Sequence, residues 1–254
     1  MYEYNLGNYE PAEKQGLLLA DTWRDSPLAD NAMLLAGQAA LKRKEYVRAN
    51  ELFNRMVKEF AGSPRMAEAR LAQADALVEL AKCPEAILIY EEIIAKYPNS
   101  ELVPAAWCRK GDSQFTLGAE SRKRFEEAIE SYQVVANSSG AGPDLVLQSK
   151  YKIGRCLEKL ERAEEALKQY YLKVIVPYLE ERAKGVWHTE ACKLWFTRAV
   201  FNAADMMEAK KDWNGAVGIL ERAVSADVPA ANEIKERIKK IKSEHWWNFI
   251  NSAR

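Results

Sequence analysis

The chain repeats itself at a spacing of 37 residues, and a repeat of that length restricts the fold more than any other feature of the sequence. Asp25-Ser26-Pro27, Gly62-Ser63-Pro64 and Asn99-Ser100-Glu101 align without gaps and mark the same point of three units. Each serine is expected to cap the helix after it, its hydroxyl accepting an otherwise orphan backbone N–H. A small residue then recurs at Ala12, Ala49, Ala86, Ala128, Ala166 and Ala216. Four residues on stands a large one, Phe53, Tyr90, Tyr132, Tyr170 or Leu220, except in the first unit, which has Gly16. Gly37 and Gly154 precede Ala49 and Ala166 by twelve residues, and Gly111 takes that role in the third unit.

Four residues is one helical turn, so this pattern describes a hairpin of two helices. The small residue lets one helix approach its neighbour, and the aromatic fills the space beside it. One hairpin cannot bury its own apolar stripe, whereas a stack of them shares one continuous core. The pattern predicts helices near 9–22, 28–43, 45–60, 65–81, 84–96, 102–117, 123–137, 144–160, 163–183, 189–210, 213–225 and 230–250. No alternating run of β-branched residues is bounded by turns, so the expected fold class is all-α without a sheet. Ile234, Ile238 and Ile241 share one face of the last helix while Lys235, Glu236, Lys239, Lys240 and Lys242 solvate the rest, the pattern of a cap.

Composition narrows the function. The 37 basic and 37 acidic residues cancel, so no net field draws the chain to nucleic acid or to an anionic surface. With 48% apolar residues and seven tryptophans it is a packed protein. No apolar run reaches the roughly 18 residues of a membrane span. Cys83, Cys108, Cys156 and Cys192 are isolated and form no Cys-x-x-Cys pair, so they read as small residues packed in helices, with disulfides left open.

The hairpin pattern resembles the tetratricopeptide repeat (TPR) family over residues 9–225. Trp107-Cys108-Arg109-Lys110-Gly111 and Ala86-Ile87-Leu88-Ile89-Tyr90, followed by Tyr97-Pro98, carry the resemblance. The turns Tyr97-Pro98-Asn99-Ser100 and Phe60-Ala61-Gly62-Ser63-Pro64 are similar to those of the bacterial cell-envelope branch, which includes the outer-membrane assembly lipoprotein BamD and the Tol-associated YbgF. The resemblance implies a right-handed α-solenoid of antiparallel helix pairs with a C-terminal capping helix. It divides the chain into the second helix of a truncated first repeat (1–26), five TPR-like pairs (27–228) and the capping helix with its aromatic tail (229–254). It also implies a non-catalytic scaffold that binds a protein or peptide, in the periplasm or cell envelope of a bacterium, with the cytoplasm as the alternative.

First helices line the concave side in that family. Its groove positions fall on Leu34, Gln38, Leu71, Asp75, Asp112, Phe115, Tyr151, Arg155, Arg198 and Phe201. The two-carboxylate clamp of some members is not implied, because its positions carry Leu34, Gln38 and Ala72. Neighbouring positions Glu68 and Lys159 continue a change of sign, acidic at Glu68, Asp75 and Asp112 and basic at Arg155, Lys159 and Arg198. Such a surface suits an extended or helical peptide held by apolar anchors and oriented by charge. Trp246, Trp247 and Phe249, with Ile250, either cover the last hairpin or form a patch for assembly.

Two spacings depart from 37. Ala86 to Ala128 is 42, with an extended turn at residues 118–123, and Ala166 to Ala216 is 50. In the second, Tyr170-Tyr171-Leu172-Lys173-Val174-Ile175-Val176-Pro177-Tyr178 runs on where a second helix would end, and Pro177 is expected to kink it. These long elements are either variation or protrusions that offer partner contacts. Tyr4 to Ala12 reads as the turn and second helix of a hairpin without its first, which points to a segment of a longer precursor. His188 and His245 are expected to be structural or solvent-exposed, without a shared metal. No phosphate loop, nucleophile elbow or zinc helix occurs, and no cofactor or metal is expected.

Overall fold

The structure, a computed structural model, describes residues 1–186, 188–226 and 228–251, without the side chains of Ile250 and Asn251. Residues 252–254 of the expected 229–254 segment and the Ile250 side chain of the aromatic tail therefore lie outside the described residues. The described residues are helical and contain no strand. They divide into two compact units, Met1–Ser121 and Arg122–Arg254, whose boundary falls in the extended turn.

The first unit holds α1 (Tyr2–Asn5), α2 (Tyr9–Thr22), α3 (Ala29–Lys42), α4 (Tyr46–Glu59), α5 (Met66–Glu79), α6 (Cys83–Lys96) and α7 (Val103–Leu117). The second holds α8 (Lys123–Ala136), α9 (Pro143–Lys159), α10 (Ala163–Lys168), a π-helix (Gln169–Ile175), α11 (Val176–Ala183), α12 (Glu190–Ala209), α13 (Trp213–Val224), α14 (Ala231–Glu244) and α15 (Trp246–Asn251). Within each unit helices stack against their sequence neighbours, the helix-pair solenoid fold of the TPR class. Pro84, Pro104 and Pro143 stand in first turns, where a missing N–H costs no helical bond.

The small residues do what the pattern requires. Ala49, Ala86, Ala128, Ala166 and Ala216 are fully buried. A Cβ on Gly37 would stand 2.5 Å from Phe53 Cε1, one on Gly154 2.3 Å from Tyr170 Cε1, and one on Gly16 2.7 Å from the Ala32 carbonyl. Gly37 and Gly154 thus seat the aromatic ring of their partner helix, while Gly16 lets α2 lie against α3. Ala74 and Ala204 occupy the corresponding places before Tyr90 and Leu220 and are also fully buried. The four cysteines are buried in helices.

Three local expectations need correction. Ser26, Ser63 and Ser100 do not cap helices directly. Each hydroxyl accepts the N–H two residues on, from Leu28, Arg65 and Leu102, and each carbonyl accepts the N–H three residues on, so the serine organises a lead-in turn. The helix expected over 163–183 is interrupted by π geometry, with the Val176 N–H bonded to the Tyr171 carbonyl five residues back. Pro177 explains it: the ring removes a donor and crowds the carbonyl four residues earlier, and a wider turn relieves both. This run also packs inward at Tyr170, Val174, Ile175 and Tyr178, so it is not a free protrusion. Finally, the helix expected over 230–250 breaks at His245, whose ring stacks on Trp213 with centroids 3.6 Å apart. Ile234 and Ile241 are buried as the capping pattern requires.

The hairpin turns use a device the sequence hides. Lys44, Ala81, Glu161 and Lys211 all have φ near 60°, the left-handed conformation usually given to glycine. The next N–H in each case bonds a carbonyl five residues back: Glu45 to Ala40, Lys82 to Leu77, Arg162 to Leu157 and Asp212 to Met207.

Candidate functional site

In the first unit the repeat places Gln38, Asp75 and Asp112 at matching positions of α3, α5 and α7, and all three are half-buried. Around the middle one lies a cleft of about 440 Å³. Leu41 and Val78 give it apolar walls, Tyr46 and Tyr90 give it rings, and Asp75, Arg109, Glu79 and Asp112 give it charge. Asp75 is held from two sides: its Oδ2 accepts from Arg109 Nη1 at 2.5 Å and its Oδ1 from the Tyr90 hydroxyl at 3.2 Å. Burial pushes the Asp75 carboxyl above its ordinary range even though Arg109 and Tyr90 oppose that shift. Burial, reinforced by the neighbouring Asp75 charge, pushes the Tyr90 phenol well up. Glu79 meets the Tyr46 hydroxyl. Three carboxylates against one guanidinium leave the cleft acidic, so it suits a cationic group carried on an apolar stem.

The other first-unit positions divide. Gln38 donates to Glu68 Oε1 at 2.9 Å, which links α3 to α5, and Phe115 is half-buried. Leu34 and Leu71 are corrections: at 2% and 7% exposure they belong to the core and cannot be contact surface. Their side chains are needed to bury the faces on which one helix meets the next.

In the second unit Tyr151 is likewise only 6% exposed, packed between Tyr170 at 5.7 Å and Trp195 at 5.5 Å. Arg155 pairs with Glu158 at 3.3 Å and points Nη1 at the Tyr151 hydroxyl at 3.4 Å, the latter chiefly responsible for raising its basicity. Glu158 Oε1 also accepts from the Tyr170 hydroxyl at 2.7 Å and from Asn202 Nδ2 at 2.8 Å. Burial, with that bond to Glu158, pushes the Tyr170 phenol far up. Arg198 is exposed and lies 4.7 Å over the Trp195 ring, while half-buried Phe201 is covered by the Arg237 guanidinium at 5.8 Å. His188 is buried beside Glu181 at 3.0 Å and stacked on Tyr178. Of the tail, Trp246 and Trp247 are 56% and 60% exposed and meet edge to face, and Phe249 is half-buried.

Arg109, Tyr46 and Glu79 were not among the sequence candidates. One signal could have found the first. Asp75 and Arg109 are 34 residues apart, one repeat less three residues, which sets opposite charges side by side on neighbouring first helices. Among the described residues no helix is long and apolar enough to cross a membrane.

Residues 28–185 match the family model described as YfiO, outer membrane lipoprotein. Among solved structures, the C-terminal part of a TPR repeat-containing protein from Cytophaga hutchinsonii superposes with a TM-score of 0.66 at 12% identity, over 98% of this chain and 86% of that one. The apo form of RapI gives 0.66 at 14% identity, over 93% and 65% of the two chains. Nearly identical TPR-like repeats from Podosopora anserina give 0.57 at 17% identity, over 79% and 96%. These likenesses concern the fold. A curated relative, the aspartyl/asparaginyl beta-hydroxylase of Mus musculus, is 29% identical over 149 residues, 57% of this chain but 19% of that protein's length.

Proposed function

From the premise that the chain belongs to the YfiO family of outer membrane lipoproteins, we propose that it is a non-catalytic scaffold that binds a protein or peptide partner in a bacterial envelope assembly. The observation that carries this reading is the cleft around Asp75. It combines apolar walls, aromatic rings and an excess of carboxylates, the combination that anchors one cationic side chain of a partner and fixes the direction of the segment carrying it. Gln38, Asp112 and Phe115 extend the contact face along the first unit, and Arg155, Arg198 and Phe201 offer a second, basic and aromatic face in the other. Leu34, Leu71 and Tyr151 support these faces from beneath.

Charge deletion tests it better than charge reversal. Asp75 is half-buried against Arg109, so a lysine there would set two cations together and endanger the fold, whereas asparagine keeps shape and hydrogen bonding. Affinity capture from an envelope fraction should recover a partner with the parent chain and lose it with Asp75→Asn, Asp112→Asn. Calorimetry with that partner should then show a weakening of about tenfold, the scale of one or two lost charge contacts. Unchanged affinity in a folded variant would sink the cleft as the site.

A second reading, a structural segment through which copies join, rests on the exposed Trp246 and Trp247. It predicts that assembly, and not partner affinity, depends on them.

A further inference from the structure

The π-helix also forms one wall of a second cleft, of about 420 Å³, within the second unit. Half-buried Ile129 of α8 gives it an apolar floor, backed from beneath by buried Ile153 and Leu157 of α9. Leu172 stands in its wall with 54% of its surface exposed, whereas Tyr170, Val174 and Ile175 of the same π-helix are turned fully inward and Tyr171 is half-buried. Lys168 and Lys173 line the same wall, and both are exposed.

The π geometry is what brings the two lysines together. Five residues along an α-helix are roughly 140° apart around the axis. In π geometry each N–H reaches the carbonyl five residues back, so residues five apart stand one turn above another. Gln169, between them, is tied down by its amide donating to the Lys150 carbonyl at 2.9 Å. Arg162 and Glu165 pair two-pronged, Nε to Oε1 at 2.7 Å and Nη2 to Oε2 at 2.5 Å, and so cancel. Lys168 acts on Glu164 and Glu165 only at a distance, and with Arg162 set against Glu165 the cleft keeps a positive excess from Lys168 and Lys173 beside its apolar residues.

We infer that this cleft binds an acidic amphipathic segment of a partner protein, with an apolar side chain seated against Leu172 and Ile129 and carboxylates reaching Lys168 and Lys173. Charge complementarity selects the acidic partner, and Leu172, held out toward water, gives the segment an apolar contact to cover. The site shares no residue with the Asp75 cleft, so either can fail without the other.

Fluorescence anisotropy on the full chain tests it, with a labelled helical peptide of leucine and glutamate repeats and a matched leucine and lysine peptide. The acidic peptide should bind about tenfold more tightly at low salt, and the preference should shrink as salt screens it. Lys168→Glu with Lys173→Glu should reverse the preference. Leu172→Ser should weaken the acidic peptide by about fivefold or more, the scale of one apolar contact. Asp75→Asn should change nothing here. Lys168, Leu172 and Lys173 are exposed, and circular dichroism confirms that each variant is folded. Equal binding of the two peptides, or a preference that survives the double lysine reversal, overturns the inference. So does light scattering that shows the chain pairing with itself through Lys168 and Lys173, since the occupant would then be a second copy.

Discussion

Arg109 reaches from α7 to Asp75 on α5, with Nη1 2.5 Å from Oδ2, and is the charge that balances a carboxylate which burial would otherwise push toward its neutral form. Removing it should therefore have a pH signature. In Arg109→Met the folded-state pKa of Asp75, already raised, rises further above the unfolded value of about 3.9. A raised carboxylate pKa means the folded form gains stability as the group protonates and loses it as pH climbs through that pKa. The variant should lose about 1 kcal/mol at pH 7, a modest figure because Asp75 keeps part of its surface in water. The loss should shrink as the pH is brought down toward 4. Urea denaturation of both proteins across that range reads it directly, and a deficit independent of pH would mean that Arg109 acts through packing alone.

The glycines divide into two classes with opposite predictions. Gly37 and Gly154 lie under Phe53 and Tyr170, where an added Cβ would meet ring carbons at 2.5 and 2.3 Å. Alanine at either position should cost about 1–3 kcal/mol, the range of overpacked cores. Gly218, inside α13, has nothing within 4 Å of that position. Alanine there should stabilise by about 0.5–1 kcal/mol through helix propensity. Thermal denaturation of the three single variants gives the signs, and a stabilised Gly154→Ala would contradict the close approach of α9 to the π-helix.

Ala81 is a non-glycine residue at φ 59° in the turn between α5 and α6. The left-handed conformation costs an L-residue roughly 1–2 kcal/mol. Glycine removes that cost but adds roughly 0.4–1 kcal/mol of unfolded-state entropy. Ala81→Gly should thus raise stability by about 0.5–1 kcal/mol, visible as a higher denaturation midpoint with unchanged slope. Lys44, in the equivalent turn at φ 61°, should behave alike.

Much of this fold is legible in the sequence because it repeats. The pairing of Gly37 with Phe53 and of Gly154 with Tyr170 follows from spacing alone, and most helix ends follow from small-residue and turn positions. What the repeat could not disclose is whatever breaks it. Pro177 suggests a kink, but whether the helix bends or widens is decided by how Tyr170, Val174 and Tyr178 pack, which is tertiary information. The break at His245 likewise depends on Trp213, thirty-two residues away. For the site, periodicity finds the face but not the depth. Leu34, Leu71 and Tyr151 share register with groove positions and are buried all the same, because a neighbouring helix lies over them. Arg109 as the partner of Asp75 is legible only across repeats, from their spacing of 34, and not from the residues around either one.

The aromatic tail offers the sharpest division between binding module and structural segment. Trp246 and Trp247 contact each other edge to face at 5.4 Å, and each leaves more than half of its surface in water. Trp213, by contrast, is half-buried under His245 at the break between α14 and α15. Trp213→Ala should therefore cost about 2–3 kcal/mol, less than the roughly 3–5 kcal/mol of a fully buried large aromatic because the ring is only half-buried. Trp246→Ala with Trp247→Ala should stay within about 0.5 kcal/mol of the parent, as surface changes do. If the pair is an assembly patch, the parent chain should show a mass that grows with concentration in light scattering and the double variant should not. If both run as the same species at every concentration, the two tryptophans join no copies. The oligomerisation reading then falls, and the groove reading keeps its own test.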